Sequence, residues 1–238
     1  MSTGIFLLVA ATVAVAAFIQ GTVGVGFALV VAPVVGMVAP ELLPVALLIL
    51  MLPLNCYVTW REHPELDKTG AGWITAGRTV GALIGLWIIA QITQHELNLL
   101  IGASTILAAV ISLCAPSFAP GRKAFMAAGV VTGVTETATG IGGPALAMVY
   151  QHQRAPILRS TIALCFALGE IISLVLLCAM GRVTPDLFVS AIALVPAVVV
   201  GAYLSRFSHH RFDGKVLRTS VMAFAIVSGT VMLYQSMS

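Results

Sequence analysis

Apolar residues run through this chain in long blocks separated by short polar stretches, with no alternation of the kind that marks strands. Six blocks, at 41–60, 70–91, 97–115, 157–180, 187–205 and 216–235, are each close to the roughly 20 residues that carry an α-helix across about 30 Å of hydrocarbon. Two further blocks, 4–38 and 124–153, do not fit that length. The 35 residues from Gly4 to Val38 would make a helix of about 52 Å, too long for one crossing and too short for two with a turn. Each of these blocks is broken by glycines, and a hairpin that enters the membrane partway and turns back accounts for the length. The pattern predicts an all-α polytopic membrane protein whose two halves, 1–119 and 120–238, each hold a broken hairpin followed by three spans.

The halves resemble one another in sequence. Gly21-Thr22-Val23-Gly24-Val25-Gly26-Phe27 returns in altered form as Thr137-Ala138-Thr139-Gly140-Ile141-Gly142-Gly143-Pro144, with Gly24 falling on Gly140 at an offset of 116. Val80-Gly81-Ala82 matches Val200-Gly201-Ala202 at an offset of 120. A duplication is the simplest cause, and paired breaks in corresponding positions of two halves are the mark of a repeat-built transporter.

Composition fixes the solvent. The chain is 59% hydrophobic and 9% charged, far below the roughly 25% charged residues of soluble domains, so lipid must surround it. The first run has no Lys or Arg before it and its pattern recurs from Ala124, so it reads as a retained span rather than a signal peptide. The twelve Lys and Arg residues lie scattered in connections, without the basic patch that nucleic acid requires. Their use is topological, because cytoplasmic loops are enriched in them. If every broken run crosses once, the eleven other than Arg78 divide five to six and orient nothing. If each run turns back, ten fall on one side and only Arg182 on the other. The charges therefore predict an inverted repeat in a bacterial inner membrane, with both termini outside the cytoplasm and the loops near Arg61, Arg122, Arg154 and Arg206 inside.

Chemistry concentrates at the breaks. Short helices that start after them, near Phe27 and Pro144, have first N–H groups without intrahelical partners, and Gly24, Gly26, Gly140, Gly142 and Gly143 admit close approach of another group. Two such N-termini facing one point favour an anion; close helix packing is the alternative reading. Gln20 and Thr22, with Thr135, Glu136, Thr137 and Thr139, add a polar lining that can donate to an oxyanion or satisfy carbonyls of a broken helix. Arg78, Glu136 and Glu170 place formal charge inside the hydrocarbon, where it is costly and points to a site, an ion path or a buried pair. Glu136 and Glu170 are the candidate proton carriers. Arg78 is placed to attract substrate, to pair with a Glu, or to snorkel, and Asn55 is the polar counterpart of Glu170. Cys56, Cys114, Cys165 and Cys178 stand singly and read as buried packing residues. The five His residues, His63, His95, His152, His209 and His210, fall in connections or near span ends, against a metal centre or a His-dependent hydrolase. No metal or other cofactor is expected, and no Ser-His pair or Asp dyad suggests an enzyme.

Gln20-Gly21-Thr22-Val23-Gly24-Val25-Gly26-Phe27 and Thr139-Gly140-Ile141-Gly142-Gly143-Pro144 resemble the two half-motifs of the TauE/SafE family of membrane transporters, the second being the more specific through its Gly-x-Gly-Gly-Pro. The resemblance covers almost the whole chain and implies transport of small anions, with sulfite and organosulfonates the best-known class and proton coupling in some members. The residues lead to one expectation: a carrier that binds a small anion at the breaks, through Gln20, Thr22, Gly24, Val25, Gly26, Phe27, Thr137, Thr139, Gly140, Ile141, Gly142, Gly143 and Pro144. The two tips are expected to meet near mid-membrane. An anion channel on the same scaffold and a noncatalytic assembly subunit are the alternatives, and a homodimer is the expected assembly.

Overall fold

The computed structural model describes residues 2–23, 26–114, 120–150, 153–205 and 214–237. Gly24, Val25, His152, Arg206, His209 and His210 lie outside the described residues. Among those described the chain is helical and without strands: α1 (Thr3–Val23), α2 (Phe27–Val38), α3 (Val45–Arg61), α4 (Lys68–Gln91), α5 (Gln94–Cys114), α6 (Arg122–Thr139), α7 (Gly143–Tyr150), α8 (Ala155–Ala179), α9 (Pro185–Ser205) and α10 (Gly214–Met237). Six of them, α1, α4, α5, α8, α9 and α10, are long and apolar enough to cross a membrane. Side-chain caps set several starts. Asp67 accepts the Gly70 N–H at 2.9 Å to open α4, and Thr93 with Glu96 forms a reciprocal capping box before α5.

Both broken runs fold back. Thr132 Oγ1 donates to the Gly142 carbonyl at 3.3 Å, and the Phe125 and Tyr150 rings stack with centroids 5.4 Å apart, so the end of α7 returns to the start of α6. In the first run, Gly26 lies beside Val221 and Gly36 beside Met232, so α2 runs alongside α10 in the same direction. Two glycines make the turns: Gly26 at φ 123° and Gly140 at φ 78° occupy backbone conformations that side-chain-bearing residues rarely adopt.

The arms are unequal, and this changes the expected geometry. With 21 and 18 residues, α1 and α6 reach about 31 and 27 Å, most of the membrane thickness. Each break is carried past the middle. Gly21 packs on Ser205 at the end of α9, which is also the end that shares a cavity with Arg61, whereas Gly140 packs on Leu47, at the opposite end of α3. The tips point to opposite ends of the bundle instead of meeting, and what comes together between them is the polar residues along the arms.

Packing between the halves rests on glycine. A Cβ at Gly77, Gly81 or Gly85 of α4 would run into the backbone of α6 at Met126, Val130 or Val134 in turn, and a Cβ at Gly129 or Gly133 of α6 would meet the backbone of α4. The two helices therefore run in the same direction in close backbone contact, as small residues permit in membranes. Gly201, the counterpart of Gly81, does the same for α9 against Ala14 of α1. The pairs α3 with α8 and α5 with α10 run in opposite directions: Asn55 meets Glu170 while Glu62 meets Arg159, and Gly102 meets Leu233 while Gly229 meets Ile106. Exchanging the two halves thus maps each helix pair onto another pair or onto itself. One sequence expectation fails: only Cys165 is buried, while Cys56, Cys114 and Cys178 are exposed, since a thiol facing lipid is as well accommodated as one in a core.

Candidate functional site

The long arms bring three ionisable side chains into one apolar interior. Arg78 of α4 and Glu136 of α6, each 1% exposed, form an ion pair through Nη2 and Oε2. Snorkelling is ruled out because the glycine contacts hold α4 flush against α6 on both sides of Arg78. Glycine also makes room for the guanidinium on α8, where a Cβ at Gly169 would overlap it, and the Phe166 ring lies beneath it at 5.2 Å. One turn of sequence away from Phe166, Glu170 accepts a hydrogen bond from Asn55 Nδ2 at 2.7 Å. Thr137 and Ser173 exchange a hydrogen bond of 2.7 Å on the other flank. Five helices contribute to a continuous buried polar belt: α3, α4, α6 and α8 directly, with Gln20 of α1 alongside through the cavity that it shares with Asn55.

The belt is incompletely satisfied. Arg78 Nε and Nη1, Glu136 Oε1 and Glu170 Oε2 are buried and meet no hydrogen-bonding partner among the described residues. A buried charged group with unmade bonds costs a few kcal/mol, so these donors and acceptors call for polar partners beyond the side chains around them. Arg78 Nε and Nη1 point to different sides of the guanidinium, and each is a charge-assisted donor suited to an oxyanion oxygen.

A cavity of about 50 Å³ leads to the belt, lined at its inner end by Gln20, Asn55 and Phe166 and at its mouth by Arg61, Arg159 and Ser205. At the mouth both guanidiniums bond the same carboxylate: Arg61 Nη2 lies 2.7 Å from Glu62 Oε1, and Arg159 reaches Glu62 through Nε and Nη2, each at 3.1 Å. Burial alone would raise the Glu62 carboxyl, but the bonds from Arg61 and Arg159 outweigh it and hold the group below its ordinary 4.5.

The break residues themselves are largely turned inward. Gln20 Oε1 accepts the Phe27 N–H at 3.0 Å, and Thr139 Oγ1 accepts the Ile141 N–H at 3.3 Å. Thr22 and Thr139 donate to the carbonyls of Phe18 and Thr135, the backbone-satisfying role. Gly142 stands directly against Glu136 and Thr132, where a Cβ would come within 2.8 Å of both. Pro144 sits in the first turn of α7. The tips thus form the turns, while Gln20, Glu136 and Thr137 on their arms join the belt or its cavity. Three participants, Phe166, Gly169 and Ser173, carried no readable signal in the sequence, because an apolar span contains many such residues and only the Arg78 geometry singles them out. Among the described residues no cluster of His, Cys, Asp and Glu could hold a metal ion.

Comparison with known proteins gives one finding. The family model described as Sulfite exporter TauE/SafE matches residues 8–232. Neither the curated proteins nor the solved structures gave a match.

Proposed function

The chain belongs to the TauE/SafE sulfite exporter family, and from that premise we propose that it is a secondary carrier for a small anion, sulfite or an organosulfonate, bound at the buried polar belt. The observation that carries this reading is Arg78: a permanent cation, 1% exposed, with two nitrogens left unpartnered beside a cavity lined from both halves of the chain. Around the anion, Asn55, Gln20 and Thr137 supply uncharged donors, and the peptide N–H groups around Val25 to Phe27 and Ile141 to Gly143 are released to it as the hairpins shift. Glu136 and Glu170 are the groups through which a proton would accompany the anion.

Alternating access follows from an inverted repeat. Its support is the opposed running of α3 and α8 and of α5 and α10, which parallel halves would not produce, together with the ten-to-one charge division. In this reading the cavity at Arg61 is the vestibule open toward the cytoplasm, and the belt is its floor.

The test is uptake of labelled sulfite and of methanesulfonate into proteoliposomes. Saturable movement of either, trans-stimulated by unlabelled anion, is the expected outcome. Movement of neither under substrate or pH gradients removes the substrate assignment, and nonsaturating conductance makes the protein a channel.

A further inference from the structure

The mouth of the cavity holds more positive charge than topology alone requires. Arg61 ends α3 and Arg159 lies in the second turn of α8, with side chains 41% and 36% exposed, and both line the cavity. They share Glu62, which is 11% exposed, so among the described residues the mouth carries two cations against one carboxylate. A third arginine on the same side, Arg154, pairs with its own acid, Glu65, at 2.8 Å and is 73% exposed; it lines no part of this cavity. The excess charge therefore sits at the opening, where narrow apolar walls concentrate its field.

The carboxylate between the guanidiniums shows what that place can hold. Arg159 engages Glu62 through a fork of Nε and Nη2, and Arg61 engages it from the other side. Such forks accept any planar or tetrahedral oxyanion of similar span. Glu62 also joins two helices from different halves, because Arg61 belongs to α3 and Arg159 to α8.

We propose that Arg61 and Arg159 form a reception site for a small oxyanion at the cavity mouth, in which the arriving anion replaces Glu62 as the bridge between α3 and α8. This rests on the anion-carrier reading and adds to it a second, outer site separate from Arg78. Arrival of the anion frees Glu62, while α3 and α8 stay joined through the anion held by Arg61 and Arg159.

The experiment is sulfite counterflow in oriented proteoliposomes, with KM measured separately from each face. Arg159→Gln and Arg61→Gln are expected to raise KM about three- to tenfold from the face bearing residues 61–68, with no change from the other face. Glu62→Gln lowers KM from that face by removing the competitor, and Arg154→Gln changes neither. Equal shifts from Arg154→Gln and Arg159→Gln would reduce the effect to bulk charge and overturn the site. A change in kcat alone, or an equal KM change from both faces, would make the contact merely structural and likewise overturn it. If the Arg159→Gln protein fails to insert, the wild type decides: its KM must climb with ionic strength more steeply on this face than on the other, and equal slopes defeat the proposal. Wild-type vesicles that move no sulfite but do move methanesulfonate transfer the same measurements to methanesulfonate; vesicles that move neither overturn the carrier reading and this site together.

Discussion

Gly142 is the residue at which the turn of the second hairpin and the charge of the belt become inseparable. A side chain there would push against Glu136 Oε2, the atom that holds Arg78, and against Thr132. Gly142→Val is expected to insert normally and to lose at least tenfold in sulfite uptake, as misplacement of a binding group by about 1 Å commonly costs 10²-fold; unimpaired uptake by the correctly inserted protein would separate the turn from the site. The belt's charged members were legible in the sequence because formal charge is rare in a span, and Glu170 with Asn55 could be paired by their positions in the repeat. The use of the threonines was not legible. Thr22 and Thr139 have the same chemistry whether they face a ligand or a carbonyl of their own helix, and only the fold decides for the carbonyl. Arg78 was ambiguous for a related reason: its distance from the helix end permits snorkelling, and the residues that bury it, Gly129, Gly133 and Glu136 of α6 and Gly169 of α8, lie far away in sequence.

At the scale of elements, the contact between the end of α3 and the start of α8 depends on the ionised form of Glu62. Its carboxyl is held below 4.5 in the folded protein, so its contribution is fully present above that pH and is lost as pH falls through the lowered folded value. The difference in Tm between the wild type and Glu62→Gln, measured against pH, is expected to be constant above 4.5 and to shrink below it; a difference that grows on acidification would contradict the sign. The sequence legibly separated spans from connections because charge and Pro or Gly punctuate each one. It did not reveal how far the broken arms reach. Apolar length alone cannot say where in a run the turn will fall, and the placement of Gly26 after an uninterrupted α1 and of Gly140 after an uninterrupted α6 moved the two tips away from the middle.

For the whole molecule, an inverted repeat requires α3 to oppose α8 and α5 to oppose α10, which is how these pairs run, and the test of the arrangement is the side of the membrane on which its loops lie. Single cysteines introduced at Ser2 and Gly181 are expected to react with impermeant maleimide added outside intact cells, and one at Leu66 only after permeabilisation. Labelling of Leu66→Cys and Ser2→Cys from the same side would replace the inverted arrangement with a parallel one.

The backbone contact between α4 and α6, repeated by α9 on α1, has a further bearing on how such a chain can move. With backbone against backbone at the glycines, and the Arg78–Glu136 pair tying α4 to α6 as well, the partners of each pair are expected to travel as a single strut, and each strut takes one member from either half of the sequence. On the carrier reading proposed above, the moving bodies are then hybrids, each stitched from both halves of the sequence. Cutting the gene at its midpoint would sever both bodies at once rather than release two working pieces.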